Sequence, residues 1–149
     1  MSLEIIRGDL LSSDANAICH QVNCRNAMGA GIAAAISEKW PIVKERYKKA
    51  FENLKDWHSL LGKIQTVKIG QNRYVVNIFG QDDYGHDGVY TDYSALNRAF
   101  KQLNKRFAGQ TVAFPYGFGC GLGGGDWTDI ERMMLFLLPD CDVKIYLKG

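Results

Sequence analysis

Apolar side chains recur along this chain with two periods, about two residues and about 3.6, and each change of period marks a new element. The first segment, Glu4 to Arg7, reads as a short strand ending at Gly8-Asp9. Ala15 to Val22 has strand length and gathers β-forming residues towards its end. After a polar break from Asn23 to Met28, the alanine-rich run behind two glycines predicts a helix from about Gly31. Pro41 sits just inside a second helical pattern carried by Val43, Tyr47, Ala50, Phe51 and Leu54. Lys63 to Ile69 and Tyr74 to Phe79 bracket Gly70-Gln71-Asn72-Arg73 and predict a β-hairpin. Residues 80 to 90 show no period and read as a loop.

In the second half, Tyr93, Leu96, Phe100 and Leu103 mark one face of a helix between Thr91 and Phe107. Thr111 to Phe114 is a short buried strand closed by Pro115. A glycine-rich stretch from Tyr116 to Asp126 leads into a helix over about Thr128 to Leu137, and Val143 to Leu147 is a last strand. The order β-β-α-α-β-β-α-β-α-β predicts an α/β protein, a three-layer α/β/α sandwich with a six-stranded mixed sheet. The hairpin supplies the antiparallel part.

Composition narrows the class. At 149 residues the chain fits a single domain over 1–149, large enough to bury a core. Its 46% hydrophobic and 23% charged residues exclude disordered, collagen-like and coiled-coil chains. A net charge of +2 gives no electrostatic reason to expect a polynucleotide or membrane partner. No apolar run approaches the length of a membrane span, and Met1 to Arg7 lacks the order of a secretory signal. Cys19, Cys24, Cys120 and Cys141 form no Cys-x-x-Cys pair, and His20, His58 and His86 follow no zinc spacing. The expectation is a cytoplasmic monomer with reduced thiols, no metal and no cofactor.

The candidate chemistry lies in a device that occurs twice: a strand, a glycine loop, then a helix N-terminus. Unpaired N–H groups and the positive end of a helix dipole together suit phosphate oxygens. Two such loops suggest a ligand with two phosphates, although glycines also simply make tight turns. Five glycines among the seven residues from 119 to 125 favour the ligand reading. The Walker pattern is absent. Gly29-Ala30-Gly31-Ile32-Ala33-Ala34 matches the dinucleotide fingerprint locally, but Asn23 to Met28 intervene and no acidic residue closes a second strand about twenty residues on. Cys120 as a nucleophile lacks a base partner, and the elbow positions hold Phe118 and Leu122.

Taken in order, Gly8-Asp9-Leu10, Ile18 to Asn23, Gly29-Ala30-Gly31-Ile32-Ala33, Val76-Asn77-Ile78-Phe79 and Phe118-Gly119-Cys120-Gly121-Leu122-Gly123 resemble a macrodomain over nearly the whole chain. Gly119 to Trp127 resembles the branch holding ADP-ribose 1″-phosphate phosphatases and the DNA and protein ADP-ribose glycohydrolases. The resemblance implies an ADP-ribose ligand, free or attached to protein or nucleic acid. It assigns Asp9, beside Leu10, to the adenine amino group, a role that suits a carboxylate because it only accepts; a turn or helix cap is the other reading. Asn23 would hold the distal ribose, or serve as a turn asparagine. Gly29, Ala30, Gly31 and Ile32, with Gly119, Cys120, Gly121, Leu122 and Gly123, would cradle the pyrophosphate and distal ribose. Tyr116 and Phe118 would pack on ribose or in the core.

For chemistry the resemblance points to His20 and Asp126. A histidine near a terminal phosphate would act as nucleophile or acid, and Asp126 would orient water or act as base. The other readings are a strand histidine satisfied by a carbonyl and a helix cap. His86 and Asp87 are within possible reach on the loop. One departure stands out: the branch's glycohydrolases use a lysine shortly after the fourth strand, and Phe79 to His86 contains none. The expected function is therefore removal of the 1″-phosphate from ADP-ribose. Alternatives are a non-catalytic ADP-ribose reader and a glycohydrolase acting on modified protein or nucleic acid.

Overall fold

A computed structural model describes residues 2–85, 88–121 and 123–148. Six strands form one sheet: β1 (Leu3–Arg7), β2 (Ala17–Asn23), β3 (Ile64–Gly70), β4 (Arg73–Gln81), β5 (Thr111–Pro115) and β6 (Asp142–Leu147). Their order across the sheet is β1-β6-β5-β2-β4-β3. Only β3 runs antiparallel, to β4, as the hairpin pattern predicts; Gly70 pairs with Arg73 across the turn.

Four helices complete the three layers: α1 (Gly31–Lys39), α2 (Pro41–Lys49), α3 (Tyr93–Arg106) and α4 (Trp127–Leu137). Period-two alternation sends successive strand residues to opposite cores. Ala17, Cys19, Val76 and Ile78 pack with Leu96, Phe100, Ile130 and Met134 of α3 and α4. Ile18, Val22, Val75 and Phe79 pack with Ile36, Val43 and Tyr47 of α1 and α2. No helix among the described residues is long and apolar enough to cross a membrane.

Two boundaries differ from the pattern reading. The second helix ends at Lys49, not at Leu54: the chain tightens into three-residue bonds, Phe51 N–H to Lys48 and Glu52 N–H to Lys49, before Asn53 turns left-handed at φ 59°. The apolar positions at Phe51 and Leu54 follow a tapering turn. Conversely, β4 continues past Phe79 through Gly80 to Gln81. Gly80 interrupts the pattern because Gln21 and Leu96 fill the space a Cβ would need, yet the strand runs on and Gln81 pairs with Asn23 of β2.

The topology creates a crevice. The loop after β2 leads to α1 on one face, while that after β5 leads to α4 on the other. The parallel strands β2, β4 and β5 end at the same edge, where these connections part, and ligands of open α/β sheets lie at such a point.

Candidate functional site

A cleft of about 580 Å³ opens at that edge, within the size range of small-molecule sites. One wall is the start of α1: Gly29, Ala30, Gly31, Ile32 and Ala33. The opposite wall runs from Pro115 through Tyr116, Gly117, Phe118 and Gly119 to Gly121 and Gly123. Gln21, Val22 and Asn23 of β2, with Gln81 of β4, line it at the strand ends, and Ala27 and Tyr84 complete it.

The two glycine loops do different jobs. Ala30 is the N-cap of α1, its side chain offers no capping bond, and Gly31 follows at φ +56°, a conformation that favours glycine. The first N–H groups of a helix have no partner within it. The start of α1 therefore presents N–H groups and the positive dipole end directly to the cleft. At α4, by contrast, Asp126 caps the helix, its Oδ1 accepting the Asp129 N–H at 3.2 Å. The second loop thus contributes glycine backbone, not a helix terminus.

Its glycines also divide. A Cβ at Gly117 or Gly121 would stand in open space. At Gly123 it would lie 2.5 Å from Thr91 Oγ1 and 2.7 Å from the Gly119 carbonyl oxygen, and at Gly125 2.8 Å from that same oxygen. Three of the five glycines from 119 to 125, Gly123, Gly124 and Gly125, are thus required by packing.

Asn23 lies at the cleft with its amide already committed. Its Oδ1 accepts from Arg25 N–H at 3.0 Å and its Nδ2 donates to the Ala27 carbonyl at 2.8 Å. Tyr47 holds the residue from α2, its hydroxyl 2.7 Å from the Asn23 carbonyl. Directly after Gln81, Asp82 takes the Arg25 guanidinium at 2.8 Å and the His58 imidazole at 3.0 Å.

Of the residues expected from the sequence, Asn23, Gly29, Ala30, Gly31, Ile32, Tyr116, Phe118, Gly119, Gly121 and Gly123 line the cleft together. Leu122, His86 and Asp87 lie outside the described residues. Asp9 and Leu10 do not line it: Asp9 caps the short 3₁₀ turn Leu10–Ser12, its Oδ1 accepting the Leu11 N–H at 3.0 Å, and Leu10 is buried. Cys120 is also off the wall. Burial and, secondarily, the Asp126 charge raise its thiol pKa, contrary to what a nucleophile needs.

His20 is not brought to the cleft either. It is fully buried inside β2, with Nε2 bonded to Asn77 Oδ1; Asn77 Nδ2 in turn donates to Gln65 Oε1 at 2.9 Å. Burial lowers its pKa from 6.5 to about 4, only partly offset by the Asn77 bond, so the ring is neutral at pH 7. Asp126 is exposed outside the lining, and Tyr93 Oη accepts its backbone N–H at 2.7 Å. Gln21, Gln81 and Tyr84 are cleft residues that the sequence reading passed over. The available signals were a glutamine between His20 and Val22 inside a strand and a polar residue directly after Phe79-Gly80.

No protein-family profile matches the chain. It is 32% identical over 149 residues to DNA ADP-ribosyl glycohydrolases of Mycobacterium tuberculosis and Mycobacterium bovis; the match covers 93% of this chain and spans 40% of those relatives' length. Among solved structures, a Bacteroides thetaiotaomicron protein of unknown function superposes with a TM-score of 0.87 at 26% identity, over 98% of both chains. The macrodomain of Mycobacterium tuberculosis DarG superposes at 0.81 with 27% identity, over 99% of both. Thermosipho africanus DarTG in complex with ADP-ribose matches at 0.80 over 97% of this chain and 41% of its own; at 19% identity that likeness is of fold alone.

Proposed function

The chain folds as a macrodomain, and from that premise we propose that its cleft binds ADP-ribose, with the pyrophosphate at the start of α1. The observation that carries this reading is the N-terminus of α1, which no side chain caps and which faces a glycine wall across the cleft. A dianionic pyrophosphate suits that terminus. The adenine end lies by Ile32; Asp9, outside the cleft lining, would take its amino group only on leaving its cap on the Leu11 N–H. The distal ribose lies by Asn23, Gln81 and Tyr84, with the exposed Tyr116 ring on the opposite wall, while the Phe118 ring packs in the core against Phe100 and Phe114. Free ADP-ribose, or ADP-ribose attached to protein or nucleic acid, is the partner, taken up by a monomer. The four free cysteines fit a reducing cytoplasm.

A second reading, hydrolysis at the distal ribose, is favoured by the 32% identity to DNA ADP-ribosyl glycohydrolases. Water would displace the attached group, and Asp126, if it turns from its capping bond, would take the water's proton. The same balance serves release of a 1″-phosphate. Buried His20 does not touch substrate in either version and acts at most through Asn77.

Calorimetric titration with ADP-ribose, against AMP and NAD, tests the binding reading. Selective binding at micromolar Kd or tighter, about −8 kcal/mol, is expected; absence of heat at millimolar ligand overturns it. Incubation with ADP-ribose 1″-phosphate, ADP-ribosylated DNA and ADP-ribosylated protein then separates a reader, which releases nothing, from either hydrolase.

A further inference from the structure

From the cleft residues Gln21 and Gln81 a polarised chain of hydrogen bonds runs behind the glycine wall. Gln21 Nε2 donates to Gln81 Oε1 at 2.7 Å and to Thr91 Oγ1 at 2.9 Å, which accounts for both of its hydrogens. Thr91 therefore has its single hydroxyl hydrogen left for the Gly119 carbonyl, 2.6 Å away. That carbonyl accepts a second bond from Gly125 N–H at 2.8 Å. The Gly123 carbonyl is tied in the same direction by Tyr90 N–H at 2.7 Å and Thr91 N–H at 2.9 Å. Both carbonyls of these lining glycines are thus turned towards the segment preceding α3.

This orientation matters to an anion. A peptide group presents either its N–H or its C=O, and a carbonyl facing phosphate would repel it. Glycine backbone resists such a flip less than any other residue, so something outside the loop has to hold it. Thr91 is 5% exposed and Gln21, at the floor of the cleft, is half-buried, so the restraint is partly shielded from water. Gln21 Oε1, by contrast, is buried with no hydrogen-bond partner among the described residues, packed where Gly80 lacks a Cβ. The amide is held by its N–H side alone.

We propose that Gln21 is a positioning residue which, through the Thr91 hydroxyl, keeps the Gly119 carbonyl out of the cleft and so sets its affinity for a pyrophosphate ligand. The proposal rests on the ADP-ribose reading for its ligand, but the restraint itself exists in the free protein. It carries a chemical signature. Glutamate at position 21 only accepts, so it would draw the Thr91 hydrogen to itself and release Gly119. A near-isosteric glutamate is then as damaging as methionine.

The test compares Gln21→Met, Gln21→Glu, Thr91→Val and Thr91→Ser by amide hydrogen exchange of the free protein and by ADP-ribose titration. Expected are faster exchange confined to residues 117–125 and 88–91 and a loss of affinity on the order of tenfold in the first three variants, as befits one lost buried bond. Thr91→Ser keeps the hydroxyl and behaves as wild type, and Gln21→Met with Thr91→Val together lose no more than either alone. Wild-type exchange in the loop, or acceleration spread evenly over the sheet, overturns the proposal, as does unchanged affinity in a loosened loop. Failure of the wild type to bind ADP-ribose, with the local exchange effect intact, overturns the ligand reading and leaves the restraint standing.

Discussion

The Tyr47 hydroxyl lies 2.7 Å from the backbone carbonyl of Asn23 and 2.9 Å from its side-chain oxygen, and accepts Ala27 N–H at 3.2 Å, so α2 grips the strand end and loop that form one side of the cleft. Tyr47→Phe removes these bonds but keeps the ring packing against Phe51 and Phe79, with centroids 5.1 and 5.9 Å away. The expected cost is about 1–3 kcal/mol, the penalty for buried groups left unpaired. Urea unfolding checks it. ADP-ribose affinity should also fall, because Asn23 and Ala27 lose their common anchor; unchanged affinity would separate that loop from the ligand.

His20 makes the fold sensitive to acid. Its pKa is about 4 in the folded protein against an ordinary 6.5, so the unfolded chain binds the extra proton between those values. Its contribution is therefore complete above pH 6.5, falls as the pH drops and levels off below 4. The largest loss is about 3 kcal/mol. Comparing urea midpoints at pH 7 and pH 4 for wild type and His20→Gln checks this: the variant should show a smaller drop. Because the ring stays neutral between pH 5 and 8, any hydrolysis should show no rate change near pH 6.5 that His20→Gln removes.

Asp126 separates capping from chemistry. Asp126→Ala should cost about 1 kcal/mol through the lost cap of α4, whereas Asp126→Asn retains a side-chain oxygen for Asp129 N–H and stays within about 0.5 kcal/mol of wild type. Both variants should bind ADP-ribose as wild type does, since Asp126 is not in the cleft lining. If the protein releases phosphate or a modified partner, loss of turnover in Asp126→Asn at unchanged stability would identify the carboxylate as the base. Full turnover in that variant rules the role out.

Much of this arrangement is visible in the sequence, for a physical reason. Alternation and 3.6-residue spacing report which faces are buried, so the six strands, four helices and their layers can be read before any contact is known. Glycines ahead of a helix likewise expose the wall at Gly29 to Ile32. Hydrogen bonds between distant side chains leave no such trace. Gln21 and Thr91 are seventy residues apart, and nothing local indicates that they meet. The same holds for His20, whose place beside Asn23 in sequence puts it near the cleft, while its side chain is enclosed with Asn77. Gln81 was lost to a glycine that reads as the end of a strand but is the space into which Gln21 packs.

The start of α1 offers the sharpest opposition between stability and binding. Ala30 already has the extended backbone of a capping residue, φ −132° and ψ 156°, but no side chain to cap with. Ala30→Asp supplies an acceptor for the free N–H groups and a charge favourable to the dipole, and should stabilise the protein by about 0.5–2 kcal/mol. It also puts that carboxylate where the pyrophosphate is proposed to lie, so ADP-ribose affinity should fall by tenfold or more, about 1.4 kcal/mol. Ala30→Ser brings the cap without the charge and should fall between the two. Thermal unfolding and calorimetry on the same samples read both effects. Opposite signs place the anion at this terminus, while higher stability with undiminished affinity places it elsewhere in the cleft.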